Sequence, residues 1–209
     1  MTCFIGLLAV SSGLGWWLLH GAAASAPMRP TINAESLRSG DIIFRRGPSV
    51  ESRAVMTLDR DSDFSHVGIV LRRNDAIFVI HVVPGEGEPE VTKIEPIEDY
   101  LRSDRAIAAS AYRVVTDTPS SIETAVRTAN QYVERNVPFD NKFDLASDEA
   151  LYCTELVWRA YKKAGLDLVD GHFDSSSTSF IRGPILWPSS LLHSPHLVQA
   201  WNWKQQKEE

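Results

Sequence analysis

Leu151-Tyr152-Cys153-Thr154-Glu155-Leu156-Val157-Trp158 is the stretch around which the chain is organised. From Cys153 onward, Leu156, Val157, Ala160, Tyr161 and Ala164 recur at three- and four-residue intervals, the period of a helix with one apolar stripe. Gly165 then stops that helix, because glycine takes the left-handed turn that closes a helix end. Cys153 therefore opens a helix that packs on a core. A thiol in the first turn feels the positive end of the helix dipole and the unpaired N–H groups, and both favour the nucleophilic thiolate. A lone helix cysteine is more often inert packing, so the meaning of Cys153 depends on what the rest of the chain brings to it.

The chain has 209 residues, 44% of them hydrophobic, which is enough for one good core and a single globular domain. A net charge of -6 and the absence of a long basic run argue against nucleic acid as a partner. Only two cysteines occur, Cys3 and Cys153, which excludes a disulfide framework and a cysteine-rich zinc module.

No charged side chain precedes Arg29, and the segment before it carries Phe4 to Val10 and Gly15 to Leu19 as apolar runs. Ala22-Ala23-Ala24 offers an A-x-A cleavage pattern before Ser25. Residues 1–26 are therefore expected to be a signal peptide or an N-terminal membrane anchor. The lack of Lys and Arg ahead of the apolar run, with Trp16-Trp17 inside it, keeps the uncleaved anchor open and makes residues 4–24 the candidate for membrane association. An exported, periplasmic or cell-envelope protein is the expectation. Residues 27–36 then read as a linker, 37–200 as the functional domain and 201–209 as a tail.

Leu37 to Phe44 reads as a turn delivering an apolar strand. Val50 to Leu58 has a weak helical period. Phe64-Ser65-His66-Val67-Gly68-Ile69-Val70-Leu71 and Ile77-Phe78-Val79-Ile80-His81-Val82-Val83 are strand-like runs on either side of Asn74-Asp75, a hairpin turn signal. Pairing Arg72 with Ile77 puts Gly68 opposite His81 and places His66 and His81 on one face as diagonal neighbours, within reach of each other. A slip of one residue would break the arrangement. Val91 to Ile97 and Ala106 to Val115 read as further strands, Glu98 to Arg102 as a helical turn and Ser120 to Arg135 as an amphipathic helix. Asp148 and Glu149 are positioned to cap the Cys153 helix. Asp167, Asp170, His172 and Asp174 fit no compact metal-ligand motif and read as a polar loop. Ile185 to Leu192 is an apolar segment that either fills the core or borders a cleft. No Gly-rich phosphate loop is present, and no cofactor is implied.

A cysteine nucleophile needs a base for its proton and a third group that orients the base; His66 and His81 are of the right types. Taken together, Leu37 to Phe44, Phe64 to Val70, Tyr152 to Trp158 and Trp187-Pro188-Ser189 resemble, in their order, the circularly permuted NlpC/P60 superfamily, in particular its YiiX-like branch of bacterial amidases. The resemblance spans Leu37 to Leu197 and implies an α+β, papain-like domain with the nucleophile helix packed on an antiparallel sheet. It implies Cys153 as nucleophile and His66 as general base. The third position, often Glu in this branch, falls on His81, as in the Cys-His-His arrangement of unpermuted NlpC/P60 enzymes. The Cys153 backbone N–H is a natural oxyanion donor, and Tyr152 and Gly68 are further oxyanion or substrate candidates.

The implied activity is that of a cysteine peptidase or amidase-like hydrolase, cleaving an amide or ester through a Cys153 acyl-enzyme on an envelope peptide, a small molecule or a lipid-like amide. Three alternatives stay open: an acyltransferase or lipid hydrolase with the same dyad, a non-catalytic envelope-binding module, and zinc held by His66, His81 and Cys153, which ranks below covalent catalysis. The residues do not determine the oligomeric state.

Overall fold

The structure is a computed structural model and describes residues 27–30, 32, 34–84, 90–175, 181 and 183–205. The expected signal peptide or anchor over 1–26, Cys3, most of the acidic loop after Pro84 and most of the Ser-rich stretch after Asp174 lie outside the described residues. After a 3-10 turn at Ala34–Ser36 the elements run β1 (Ile42–Arg46), α1 (Val50–Leu58), β2 (His66–Arg73), β3 (Ala76–His81), β4 (Lys93–Pro96), α2 (Ile97–Tyr100), β5 (Ala108–Val114), α3 (Pro119–Glu134), α4 (Cys153–Lys163), β6 (Asp174–Ser175), β7 (Pro184–Ile185), α5 (Pro188–Leu192) and β8 (Leu197–Lys204).

Six strands form one antiparallel sheet in the order β4-β3-β2-β1-β5-β8, and β6 and β7 pair separately. The β2–β3 hairpin has the expected register, Arg72 opposite Ile77 and Ile69 opposite Ile80. Asn74 takes a positive φ of 53° in the turn between them, a conformation Asn tolerates better than most residues.

Both faces of the sheet are covered. Ile42, Phe44, Val67, Ile69 and Ile80 face the main core with α3 and α4, while Ile43, Val70, Val79, Ala109 and Ala111 face a second core with Ile97, Tyr100 and Leu101 of the α2 region. This explains why β1 begins as an uninterrupted apolar run instead of alternating with polar residues.

Helix α4 carries the expected stripe, with Leu156, Val157, Ala160 and Tyr161 buried. Its end closes at Gly165, with φ +85°, the Leu166 N–H donating to Tyr161 O and the Gly165 N–H to Lys162 O, both at 3.0 Å; this is the six-to-one and five-to-two pairing of a Schellman motif. Its start departs from expectation. Asp148 does not cap it but accepts from Lys163 Nζ at 2.5 Å, and the Tyr152 N–H is instead met by Glu155 Oε2 at 3.4 Å. Glu155 in turn accepts from Arg159 Nε at 2.6 Å.

The boundary expected at residue 200 also moves. Strand β8 runs through Trp201, Asn202, Trp203 and Lys204 along β5, and Trp201 and Trp203 pack against the second core. Residues 201–204 thus belong to the sheet and not to a tail, since Trp201 and Trp203 alternate with Asn202 and Lys204 and so share one side of the strand.

Candidate active site

Helix α4 and strand β2 meet where Cys153 begins the helix and His66 begins the strand. They are packed elements: Val67 and Ile69 of β2 share a core with Leu156, Val157 and Ala160 of α4. Cys153 Sγ is approached by the backbone N–H groups of Val67, Thr154 and Cys153 itself, so it sits against the strand one residue past His66. Thr154 Oγ1 pins the helix start by donating to Leu186 O at 2.6 Å. Cys153 and His66 both line a cavity of about 470 Å³. No hydrogen bond joins Sγ to the His66 ring, a contact of the kind that commonly tightens only when substrate is bound.

His66 and His81 come together as the register implied. His66 Nε2 lies 2.9 Å from His81 Nδ1, the rings edge to face with centroids 5.1 Å apart. With Nε2 committed to His81, the other ring nitrogen of His66, Nδ1, remains for a thiol.

Residues that sequence reasoning passed over surround this pair. Glu95 Oε1 stands 2.9 Å from His81 Nε2, and its Oε2 accepts from Arg105 at 2.9 Å. The Tyr100 ring packs on both histidines, at 5.8 Å from His66 and 5.1 Å from His81. Arg45 lies 4.4 Å over the Tyr100 ring and donates to Tyr100 O at 2.6 Å. Arg45 had a signal, a charge directly after the apolar run Ile42-Ile43-Phe44 in the same strand. Glu95 had a weaker one, the alternation of Lys93 and Glu95 in a predicted strand.

Electrostatics correct one expectation. Burial pushes the Cys153 thiol up to about 11, although the surrounding N–H groups and the Arg45 charge act in the opposite direction. The helix start does favour the thiolate, but desolvation of a charge in a packed site is the larger effect. Burial, with the Arg45 charge and then those of His81 and Lys93, holds His66 well below the ordinary histidine range. Burial also brings His81 down to about 4, against the upward pull of Glu95. For Glu95, burial acts upward, but the hydrogen bond and charge of His81, with Lys93 and Arg45, outweigh it and bring the carboxyl to about 2. The resting site therefore combines a neutral thiol, neutral imidazoles and an ionised Glu95.

The two remaining candidates separate. Tyr152 lines the cavity, and its hydroxyl accepts the Leu186 N–H at 3.0 Å. Gly68 does not line it: a Cβ there would lie 2.5 Å from Val79 Cγ1 and 2.8 Å from Ile80 O. The absent side chain serves close packing between β2 and β3. The Asp167 to Asp174 loop is tied up locally, with Trp158 Nε1 donating to Asp167 at 2.9 Å and His196 Nε2 lying 3.1 Å from Asp170.

The cavity that holds the thiol is lined by both apolar and polar groups. Phe139, Phe143, Tyr152, Ile185, Leu186 and Trp187 are among its apolar members, and Arg45, Ser49, Glu51, Ser65, Asp104, Arg105 and Asn141 among its polar ones. The Ile185 to Leu192 segment thus does both things the sequence allowed: Ile185, Leu186 and Leu191 are buried in the core, while Ile185, Leu186, Trp187 and Pro188 border the cleft. Helix α1 forms another wall through Glu51, Ser52 and Val55 and has no buried residue of its own.

Residues 36–198 match a family model described as permuted papain-like amidase enzyme, YaeF/YiiX, C92 family. The uncharacterized protein YiiX of Escherichia coli strain K12 is 29% identical over 130 residues, which cover 61% of this chain and 58% of that protein. The match therefore spans less than two thirds of that relative's length. The crystal structure of metalloprotein yiiX from Escherichia coli O157:H7 superposes with a TM-score of 0.67 at 21% identity, covering 81% of this chain and 99% of that one, a likeness of fold.

Proposed function

The chain belongs to the permuted papain-like amidase family, whose fold it shares, and on that premise we propose that it is a cysteine hydrolase acting on an amide or ester through an acyl-enzyme at Cys153. The observation that carries this reading is the meeting, at one cavity, of a helix-start cysteine with a histidine already oriented by a second one. As Sγ attacks the carbonyl carbon, its proton passes to His66 Nδ1. The tetrahedral oxyanion is met by the Cys153 N–H at the start of α4, with the Tyr152 hydroxyl, whose proton is available after it accepts from Leu186, as the second donor. His66 then gives its proton to the leaving amine or alcohol and serves as base for the water that resolves the thioester. A neutral resting pair suits this concerted transfer and does not require a preformed thiolate.

The substrate we infer carries an apolar or acyl-like group, because Phe139, Phe143, Ile185, Leu186 and Trp187 line the same cavity as the thiol. Export through residues 1–26 would bring lipid-like amides and envelope peptides within reach. The same walls also favour the acyltransferase alternative, which differs only in the acceptor that resolves the thioester.

The related crystal structure is described as that of a metalloprotein, but the residues here do not fit a metal centre. His66 Nε2 and both nitrogens of His81 already face protein partners at 2.9 Å. Among the described residues no three of His, Cys, Asp and Glu stand where they could hold an ion.

The test uses p-nitrophenyl esters of increasing acyl length followed by intact-protein mass spectrometry. The expected result is one acyl adduct on Cys153, formed faster with longer acyl groups, absent in Cys153→Ala and slowed about 10²- to 10⁴-fold in His66→Gln. An adduct that persists in Cys153→Ala, or no adduct with any ester, contradicts the hydrolase.

A further inference from the structure

Glu95 is diagonal to His81 across β3 and β4, where Val79 pairs with Glu95 and His81 with Lys93. The β2–β3 register gives His66 the same diagonal relation to His81. Two successive diagonal steps therefore carry a line of polar side chains from the cavity into the sheet, each within the reach such neighbours have.

We propose that Glu95, anchored by Arg105, is a positioning residue that sets the tautomers of both histidines and so makes His66 Nδ1 the base for Cys153. The proposal rests on the hydrolase reading for its consequence and on geometry alone for its content. An ionised carboxylate only accepts hydrogen bonds. Glu95 Oε1 faces His81 Nε2 at 2.9 Å, an ion-pair distance whose present alignment falls short of a hydrogen bond, and neither buried atom has a hydrogen-bond partner elsewhere; a carboxylate oxygen facing that nitrogen is satisfied only if Nε2 of His81 carries the hydrogen. His81 Nδ1 is then a bare acceptor, and the 2.9 Å contact to His66 Nε2 requires that nitrogen to be the donor. In a neutral ring that leaves His66 Nδ1 without a hydrogen and able to take one. When Sγ gives up its proton to Nδ1, the positive charge formed on His66 is stabilised through His81 by the Glu95 carboxylate, which itself takes no proton. Arg105 at 2.9 Å and Lys93 at 3.7 Å hold the other carboxylate oxygen, Oε2.

That anchoring makes Glu95→Gln informative. Arg105 and Lys93 are donors and keep the amide oxygen, which turns the amide NH2 toward His81. Its Nε2 must then accept, and the chain of hydrogens runs in reverse, ending with a hydrogen on His66 Nδ1.

Long-range 1H–15N correlation of the imidazole rings at neutral pH reads this directly. In the substrate-free wild-type protein we expect His81 and His66 both protonated at Nε2 and bare at Nδ1. In Glu95→Gln we expect both rings inverted and Cys153 acylation by p-nitrophenyl ester about ten-thousandfold slower, the order of loss expected when a catalytic histidine is held in the wrong tautomer. A hydrogen on His66 Nδ1 in the wild-type protein overturns the proposal, whether or not the variant folds. So does a folded Glu95→Gln protein with wild-type tautomers and wild-type acylation. Because the tautomers are measured without substrate, failure of the hydrolase reading is seen separately, as wild-type protein that forms no acyl adduct.

Discussion

Two residues of the site have their titrations moved in opposite directions from those of a solvent-exposed copy, each deepening its ordinary state at neutral pH. Cys153 stays a thiol because burial outweighs three N–H groups and a nearby guanidinium, and Glu95 stays ionised because His81, Lys93 and Arg45 outweigh its burial. The sign for stability follows from the second. The Glu95 carboxyl lies at about 2 in the folded chain against an ordinary 4.5, so the stability it contributes is fully present above the ordinary value and is lost as pH falls toward 2. Acid unfolding should therefore show wild-type protein more stable than Glu95→Gln at pH 5 and above, with the gap closing between about pH 4.5 and pH 2. A gap that stays constant across that interval contradicts the assignment. At this scale His66 and His81 were legible in the sequence because Asn74-Asp75 fixes a tight turn, and a tight turn fixes register. Glu95 was not, because the connection from β3 to β4 is long and carries no turn signature from which its partner could be counted.

The β2–β3 hairpin is the element on which the site depends. Its strands approach so closely at Gly68 that a methyl group would meet Val79 Cγ1 at 2.5 Å and Ile80 O at 2.8 Å. The first of these is a packed side chain and the second is backbone, so neither yields without moving β3 and the His81 it carries. Gly68→Ala should lower stability by about 1 to 3 kcal/mol, the usual range for overpacking, and should slow Cys153 acylation beyond what the stability loss accounts for. Thermal unfolding and ester acylation of the same preparation check both; unchanged unfolding would mean the strands have slack there. Helix α4 was legible for a different reason: its apolar stripe and its Gly165 stop are local signals. Its start was not, because Asp148 is committed to Lys163 at the other end of the same helix, a pairing that exists only in three dimensions.

Across the whole molecule, the sheet joins residues from distant parts of the chain into one site. The start of β2 supplies His66, β3 supplies His81, β4 supplies Glu95, and α4 lies against the opposite face of the sheet with Cys153 at its start. The α+β class and the antiparallel sheet were legible from strand and helix periods, and the order of the motifs pointed to the permuted family. The outer strand β8 was not, since a strand of mixed apolar and polar residues at a sheet edge carries no turn or periodic signal that separates it from a tail.

The central claim is that the pair works as neutral thiol and neutral imidazole, with His66 taking the proton during attack. It is tested most directly by the pH dependence of Cys153 acylation in wild-type protein and in His66→Gln. For the wild type the account predicts a rate that rises below the ordinary histidine value of about 6.5 and then stays level through neutral pH toward about 11. For His66→Gln it predicts a rate proportional to thiolate, climbing about tenfold per pH unit up to about 11. Profiles of the same shape in the two proteins would contradict it.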